Sequence, residues 1–480
     1  MGKKLPRGAA GNTLYESVAL RLAGLIEKGA YRAGDRVPSV RQVSEQQRMS
    51  VTTVLAAYRM LEDRGFIEAR PQSGYYVRTR ELEHFLEPTA SEPHKEPTEV
   101  SVRELVMMVQ RDMGQPHLVQ LGIVVPPADL VPADRMGRAL AVAARQIRRG
   151  VAYYSHPNGH EALRKQLARR IALLDCDVPP DELVITVGAQ EAITLALRAT
   201  CKHGDTVAVE SPTYHGVLQA IESLGLRALE LPSHPRDGVS LDALRDALEE
   251  KKVQAVFLIT NYSNPTGSCL TTDRKRELVE LLTLHDVPLI EDDVSGDLCH
   301  TNARPTVAKR FDTKGLVLMV SSVSKTLAPG FRIGWIAPGR YYDQVEYLKM
   351  VSSIATQSAQ QVALADYFAT SSYDRFLRGI RPVYARRVEG MTRALLAHFP
   401  AGTRVTRPGG GYALWVELPR EVDSLKLYAG AVKAGITFSP GPLFSARGRY
   451  RNCLRINSAF FSPEVERAIA TLGRIAKSLQ

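Results

Sequence analysis

Several residues in the larger, C-terminal part of the chain could act together on one ligand. Lys325 is the only cation in "LVLMVSSVSK", an apolar run that ends in hydroxyls. A lysine placed there can form a Schiff base with an aldehyde cofactor. Asp292 ends "VPLIEDD", where a carboxylate can hold a protonated pyridine nitrogen and make its ring an electron sink. Gly188, Ala189 and Gln190 open a helical pattern whose free N–H groups suit a phosphate dianion, and Arg332 in "GFRIGW" can add fixed charge to it. Tyr214 offers an aromatic face, and Asn264 of "NPTG" a hydrogen bond to a ring oxygen. Each has an ordinary structural use when taken singly: a Ser-x-Lys pair is commonly surface, an Asp-Asp pair a cap, and "NPTG" a turn.

The elements that would carry these residues read as an α/β scaffold. From about residue 115 short apolar strands alternate with helical patterns, the signature of parallel βαβ units. "ELVITVG" precedes "AQEAITLALRAT", "DTVAVE" precedes "SPTYHGVLQAIESLG", and "AVFLIT" precedes "NYSNPTG". The polar residues therefore gather past the carboxyl ends of strands, where open α/β sheets place ligands.

The joint order GAQEA, SPTY, NPTG, IEDD, SVSK, GFRIGW resembles the fold type I pyridoxal 5′-phosphate (PLP) enzymes of the class I/II aminotransferase group, from about residue 115 to the C-terminus. The resemblance implies a parallel-rich αβα large domain with a smaller C-terminal α+β domain, and PLP as cofactor. It makes Lys325 the residue that carries the cofactor as an imine, and it puts Arg332 and Ser322 on the phosphate. "AYYSHPNGHEALRKQLARR" resembles the segment whose tyrosine, here Tyr154, reaches the phosphate of the neighbouring subunit. "NCLRINSAF" resembles the strand whose arginine, here Arg455, grips a substrate or effector α-carboxylate. One position departs from the pattern: Ser295 stands where such sequences often carry a tyrosine to the ring's phenolic oxygen. That leaves Asn264, or Tyr262 from another strand end, to hold this oxygen, and it implies slow transamination.

The N-terminal segment reads differently. Leu14, Val18, Leu22, Leu25 and Ile26 recur at helical spacing, so "LYESVALRLAGLIEKG" is expected to be an amphipathic helix closed by Gly29. Ser39 and Gln42 form a capping-box pattern before "VRQVSEQQ", and Ser50 caps "VTTVLAAYRMLEDRG", closed by Gly65. Two helices separated by "RMS" have helix-turn-helix geometry, and "FIEAR" and "YYVRT" flank "PQSG" as a small hairpin. Ser50, Thr52 and Thr53 would meet phosphates or base edges, with charge from Arg41 and Arg59. The stretch from "AGDRVPS" to "YYV" resembles the GntR-type winged-helix domain, and Ser73 and Gly74 fall in its wing. Such domains bind two-fold DNA sites as dimers.

Charge and composition agree with this division. The chain of 480 residues carries a net charge of +11, with +7 over residues 1–80 and −5 over residues 81–114. A basic N-terminal segment suits phosphates. "EPTASEPHKEPTE" has no apolar period and is expected to be an exposed tether. The domains expected are 12–78 for the winged helix, 79–114 for the linker and 115–480 for the PLP-binding domain. Five scattered cysteines without C-x-x-C spacing argue for a reducing cytoplasm and against structural zinc, and no apolar run is long enough for a membrane span.

A winged helix, a tether and an aminotransferase-like domain in this order resemble the MocR subfamily of GntR regulators. The resemblance implies a PLP-binding transcription regulator acting on a double-stranded DNA operator as a head-to-tail homodimer. Its large domain would sense PLP, an amine or an amino acid by imine exchange at Lys325. The competing reading is a working aminotransferase of amino acids with an accessory DNA-binding domain.

Overall fold

The computed structural model describes residues 14–27, 30–31, 35–63, 66–70, 73–77, 85–113, 115–147, 154–301, 303–370 and 372–480. Gly29, Gly65, Pro71, Gln72 and residues 78–84, all named in the sequence reading, lie outside them. The chain divides into two units, Met1–Phe85 and Leu86–Gln480.

In the first unit α1 (Leu14–Glu27), α2 (Val40–Gln47) and α3 (Val51–Asp63) precede a hairpin of β1 (Ile67–Arg70) and β2 (Gly74–Val77). The predicted capping box opens α2: Gln42 N–H donates to Ser39 Oγ (3.2 Å) while Ser39 N–H donates to Gln42 Oε1 (2.8 Å). Arg48 takes a left-handed conformation (φ 51°) that ends α2 and turns the chain into α3. Thr53 N–H then donates to Ser50 Oγ at 3.1 Å, which caps the new helix. Val18, Leu22, Ile26, Val54, Tyr58 and Leu61 fill the core between α1 and α3. Leu25, expected inside by its spacing, is instead exposed, because it falls at the edge of the apolar stripe.

The hairpin pairs Ile67 with Val77 and Arg70 with Gly74. Its outer strand also takes residues 35–37: Val37 N–H donates to Tyr75 O and Val77 N–H to Asp35 O.

The second unit is built on a mixed sheet. Its strands are β3 (Thr98–Glu99), β4 (Val184–Thr186), β5 (Thr206–Ser211), β6 (Arg227–His234), β7 (Ala255–Leu258), β8 (Leu289–Asp292), β9 (Val317–Ser322) and β10 (Gly334–Ala337). Their spatial order is β3-β6-β5-β7-β8-β9-β10-β4. The run from β6 to β9 is parallel, and β10 and β4 are added antiparallel. The unit's helices include α4 (Arg103–Met113), α5 (Glu161–Ala172), α6 (Gly188–Thr200), α7 (His215–Ser223) and the long α8 (Ser372–His398), with α6 packed directly on the sheet. Beyond α8 a smaller antiparallel sheet includes β11 (Ala413–Glu417) and β12 (Cys453–Asn457). The near-continuous apolar runs of the central strands follow from burial on both faces.

The expected tether needs correction over 86–113. Ser91 exchanges two hydrogen bonds with Ser233, Thr89 N–H donates to Glu417 Oε2 at 3.0 Å, and Leu86 O accepts from Val405 N–H. Thr98 and Glu99 pair with the edge of β6, and Val102, Val106 and Val109 are buried against the unit's core. A Pro- and Glu-rich stretch cannot form a core of its own, but it can be ordered by partners elsewhere in the chain.

Candidate cofactor and effector site

Past the carboxyl ends of the parallel strands lies a cleft of about 820 Å³, open to solvent. Lys325, Asp292, Tyr214, Asn264, Ser322, Arg332, Ala189 and Gln190 all line it. Residues proposed from five separate strand ends therefore converge on one space. Tyr154 does not line it, and at 84% exposure it projects from the surface of this chain.

Asp292 is the last residue of β8, in register with Val320 of β9. Its carboxylate accepts from Val294 N–H at 3.1 Å. Burial pushes it up to about 7, outweighing that bond and the nearby Lys325. Lys325 follows β9 by three residues, and its Nζ donates to Val124 O at 2.6 Å. Burial and the positive charge of Arg455 bring it down to about 8. Tyr412 Oη donates to Lys325 O at 3.1 Å and so fixes the backbone beneath it.

The phosphate-facing side is made by the start of α6. Gly188 (φ +76°) lies so close to Arg332 that a Cβ would stand 2.4 Å from Nη2. The Arg332 guanidinium also donates to Val187 O at 3.1 Å. Glu191 holds this turn in place, accepting from Val187 N–H (2.6 Å) and from the buried Lys349 Nζ (2.8 Å).

Arg455, on β12, is 2% exposed and has no carboxylate partner among the described residues. Nη1 donates to Asn264 Oδ1 at 2.8 Å, Nη2 donates to Ser439 Oγ and Gly122 O, and Nε has no acceptor. Its guanidinium lies 4.9 Å from the Phe444 ring centroid. Burial pushes its pKa down to about 10. A buried cation with an unfilled donor and no counter-charge is costly unless an anion completes it.

The site also holds residues that sequence reading missed. Val124, Ser263, Ser324, Gly410 and Gly411 line the cleft, the last two from the "GGGY" run. Glu210, buried beneath it, accepts from Ser263 Oγ at 2.5 Å. Desolvation pushes Glu210 up to about 8. Only the adjacency of "VESP" to a strand end could have pointed to it. Ser295 lines the cleft as expected. Tyr262 lines it too, but its ring is packed against Gly410, and burial, with Cys269 and Cys299 nearby, holds its hydroxyl well above the usual phenol range. Asn264 is thus the better placed of the two for a ring oxygen.

On the first unit Ser50, Thr52 and Thr53 stand at the start of α3, the first two exposed and Thr53 half-buried, while Arg41 is exposed on α2 and Arg59 is exposed further along α3. Ser73 Oγ bonds Tyr76 Oη at 2.6 Å, and Gly74 (φ +107°) lets the Arg36 side chain pass within 3.3 Å of its absent Cβ.

A winged helix-turn-helix unit joined to a fold type I, aminotransferase-like unit is the class that these elements define. The bacterial regulatory protein gntR family profile matches residues 14–77 and the aminotransferase class I and II profile residues 119–472. The chain belongs to the aminotransferase class I and II family and, with its GntR domain, has the MocR regulator architecture. It is 38% identical over 463 residues to the uncharacterized HTH-type transcriptional regulator YdcR of Escherichia coli K12, covering 96% of this chain and 98% of the relative. With YjiR of the same organism, described in the same words, it shares 36% identity over 447 residues, covering 93% and 95%. Among solved structures, α-aminoadipate aminotransferase LysN of Thermus thermophilus, complexed with N-(5′-phosphopyridoxyl)-L-leucine, superposes with a TM-score of 0.71 at 26% identity. That match covers 78% of this chain and 94% of LysN.

Proposed function

We propose that this protein is a PLP-binding transcription regulator whose aminotransferase-like unit senses the cofactor, an amine or an amino acid and whose winged helix binds DNA. The single observation that carries the reading is the convergence of Lys325, Asp292 and Arg332 in one cleft, beside the unpaired Arg455, in a chain that also has a helix-turn-helix. The residues fit PLP on the chemistry of the donor set. A half-buried amine, a carboxyl whose charge awaits a partner and a helix start with a fixed guanidinium match its aldehyde, ring nitrogen and phosphate. When bound, the cofactor supplies an electrophilic carbonyl and an electron-withdrawing ring.

Lys325, brought towards neutral pH, is ready to act as a nucleophile. Asp292 would gain a counter-charge from a protonated ring nitrogen, which would offset the burial that raises its pKa. Ala189, Gln190, Ser322 and Arg332 would hold the phosphate, and Tyr214 would cover the ring. Arg455 orients an effector carboxylate, releasing the Asn264 oxygen it now contacts.

The reading includes a homodimer in the cytoplasm. Tyr347, Met350, Val351 and Ile354 are exposed at i, i+3, i+4 and i+7 along Tyr342–Ser353 and just past it, a single apolar face suited to a second copy. Tyr154, also exposed, is then free to reach the neighbouring subunit's phosphate. No helix among the described residues is long and apolar enough to cross a membrane.

The test is a binding assay on DNA upstream of the protein's own gene, with and without PLP, run beside a turnover panel of amino acids and 2-oxo acids. Brisk multiple turnover with PLP-independent DNA binding would instead favour a working aminotransferase.

A further inference from the structure

Behind the strand ends that carry Asp292 and Ser322 lies a second, larger cleft of about 2080 Å³, walled by α5 and α8 and open to solvent. Val294 and Ser322 line both clefts. Its walls combine apolar surface, including Leu167, Phe368 and Leu377, with five arginines and four aspartates.

The charges do not cancel. All four aspartates are engaged by three of the arginines, through pairs that include Arg304–Asp293 at 2.5 Å, Arg304–Asp297 at 2.6 Å and Arg170–Asp374 at 3.0 Å, with Arg310 on Asp175 at 3.1 Å. The pairing with Arg304 and Arg170 holds Asp297 down to about 2. Arg378 and Arg381 are left with no carboxylate among the described residues. Arg381 uses only Nε, on Asp297 O at 2.8 Å, so its terminal N–H groups are free for a ligand.

An apolar wall beneath two guanidinium groups without carboxylate partners, in a cleft with one net positive charge, selects for charge and body at once: a bare inorganic ion leaves the wall wet, and a neutral hydrocarbon leaves the arginines unused. We propose that this cleft is a second ligand site, taking a small organic anion with an apolar or aromatic body.

The test uses the full chain loaded with PLP, so that the first cleft is filled. The probe is 8-anilinonaphthalene-1-sulfonate, and uncharged N-phenyl-1-naphthylamine is its counterpart. The expected result is saturable binding of the sulfonate, weakened roughly threefold by Arg378→Gln and roughly tenfold when Arg381→Gln is added, with the neutral probe unchanged. Arg378 is exposed and makes no hydrogen bond among the described residues, so its variant leaves the fold intact and keeps the test open should the double variant misfold. Equal sulfonate affinity in wild type and Arg378→Gln, equal loss of both probes, or no saturable binding would each overturn the proposal.

Discussion

Burial and an excess of positive charge together set how Lys325 works. Burial lowers its proton affinity most, Arg455 and Arg332 lower it further and Asp292 raises it, which brings the amine down to about 8. A lysine attacks a carbonyl only as the free amine. Attachment of PLP to the cofactor-free protein should therefore accelerate by roughly tenfold per unit as pH rises towards about 8 and then level off. Stopped-flow absorbance of the cofactor from pH 6 to 9 measures this. Lys325→Ala should lose borohydride-fixable attachment at every pH, and a flat profile in the wild type would contradict the assignment.

Glu210 gives an independent residue-scale prediction, this time on stability. Burial raises it from 4.5 to about 8, so the fold accommodates the protonated form. A group whose folded pKa lies above its unfolded value stabilises most below the unfolded pKa, and that contribution fades as pH rises through the folded one. Between pH 5 and 8 the stability difference should move in favour of Glu210→Gln by on the order of a few kcal/mol, whatever its offset at pH 5. Urea melts of both proteins without cofactor test it. Parallel pH dependences would show that Glu210 ionises in place.

At the scale of elements, the start of α6 is where backbone and site are least separable. Gly188 adopts φ +76° with the Arg332 guanidinium against its Cα, so alanine there meets both conformational strain and Nη2. Gly188→Ala is expected to destabilise the protein by about 1–3 kcal/mol and to weaken PLP binding at least about tenfold by displacing Arg332. Equilibrium dialysis against PLP, with a thermal melt, separates the two effects. Unchanged PLP affinity would remove Arg332 from the phosphate.

What the sequence made legible divides at the same scale. The capping box at Ser39, the hairpin around Ser73 and Gly74, and the strand ends before Gly188 and Asp292 were readable because each is decided within a few residues. The Arg455–Asn264 contact joins residues 191 apart, and the pairing of Thr98 and Glu99 depends on the edge of β6. Neither has a local signal. The polar run at 87–99 could only be read as lacking a core of its own, and residues 35–37 became strand-like because the hairpin offered them a partner.

For the whole molecule, the two units make separable claims. The first should bind DNA by phosphate neutralisation, so log K should fall linearly with log salt. Arg41→Ala is expected to weaken all sequences alike and flatten that slope, whereas Thr53→Ala should mainly reduce preference for the operator over random DNA. Anisotropy titrations at several salt concentrations distinguish these. A slope near zero, or a double variant that binds like wild type, would contradict the placement of the DNA-facing surface at α2 and α3.

The central claim is that the two units are coupled, so that occupancy of the Lys325 cleft changes how the winged helix holds DNA. The most direct measurement is the dissociation constant for a labelled fragment from upstream of the protein's own gene, with and without saturating PLP, for wild type and Lys325→Ala. The account predicts a shift of at least about fivefold on adding PLP to the wild type, the low end of ordinary coupling energies, and a much smaller shift in the variant. Identical affinities with and without PLP, in a wild-type protein shown by borohydride trapping to carry the cofactor on Lys325, would contradict it.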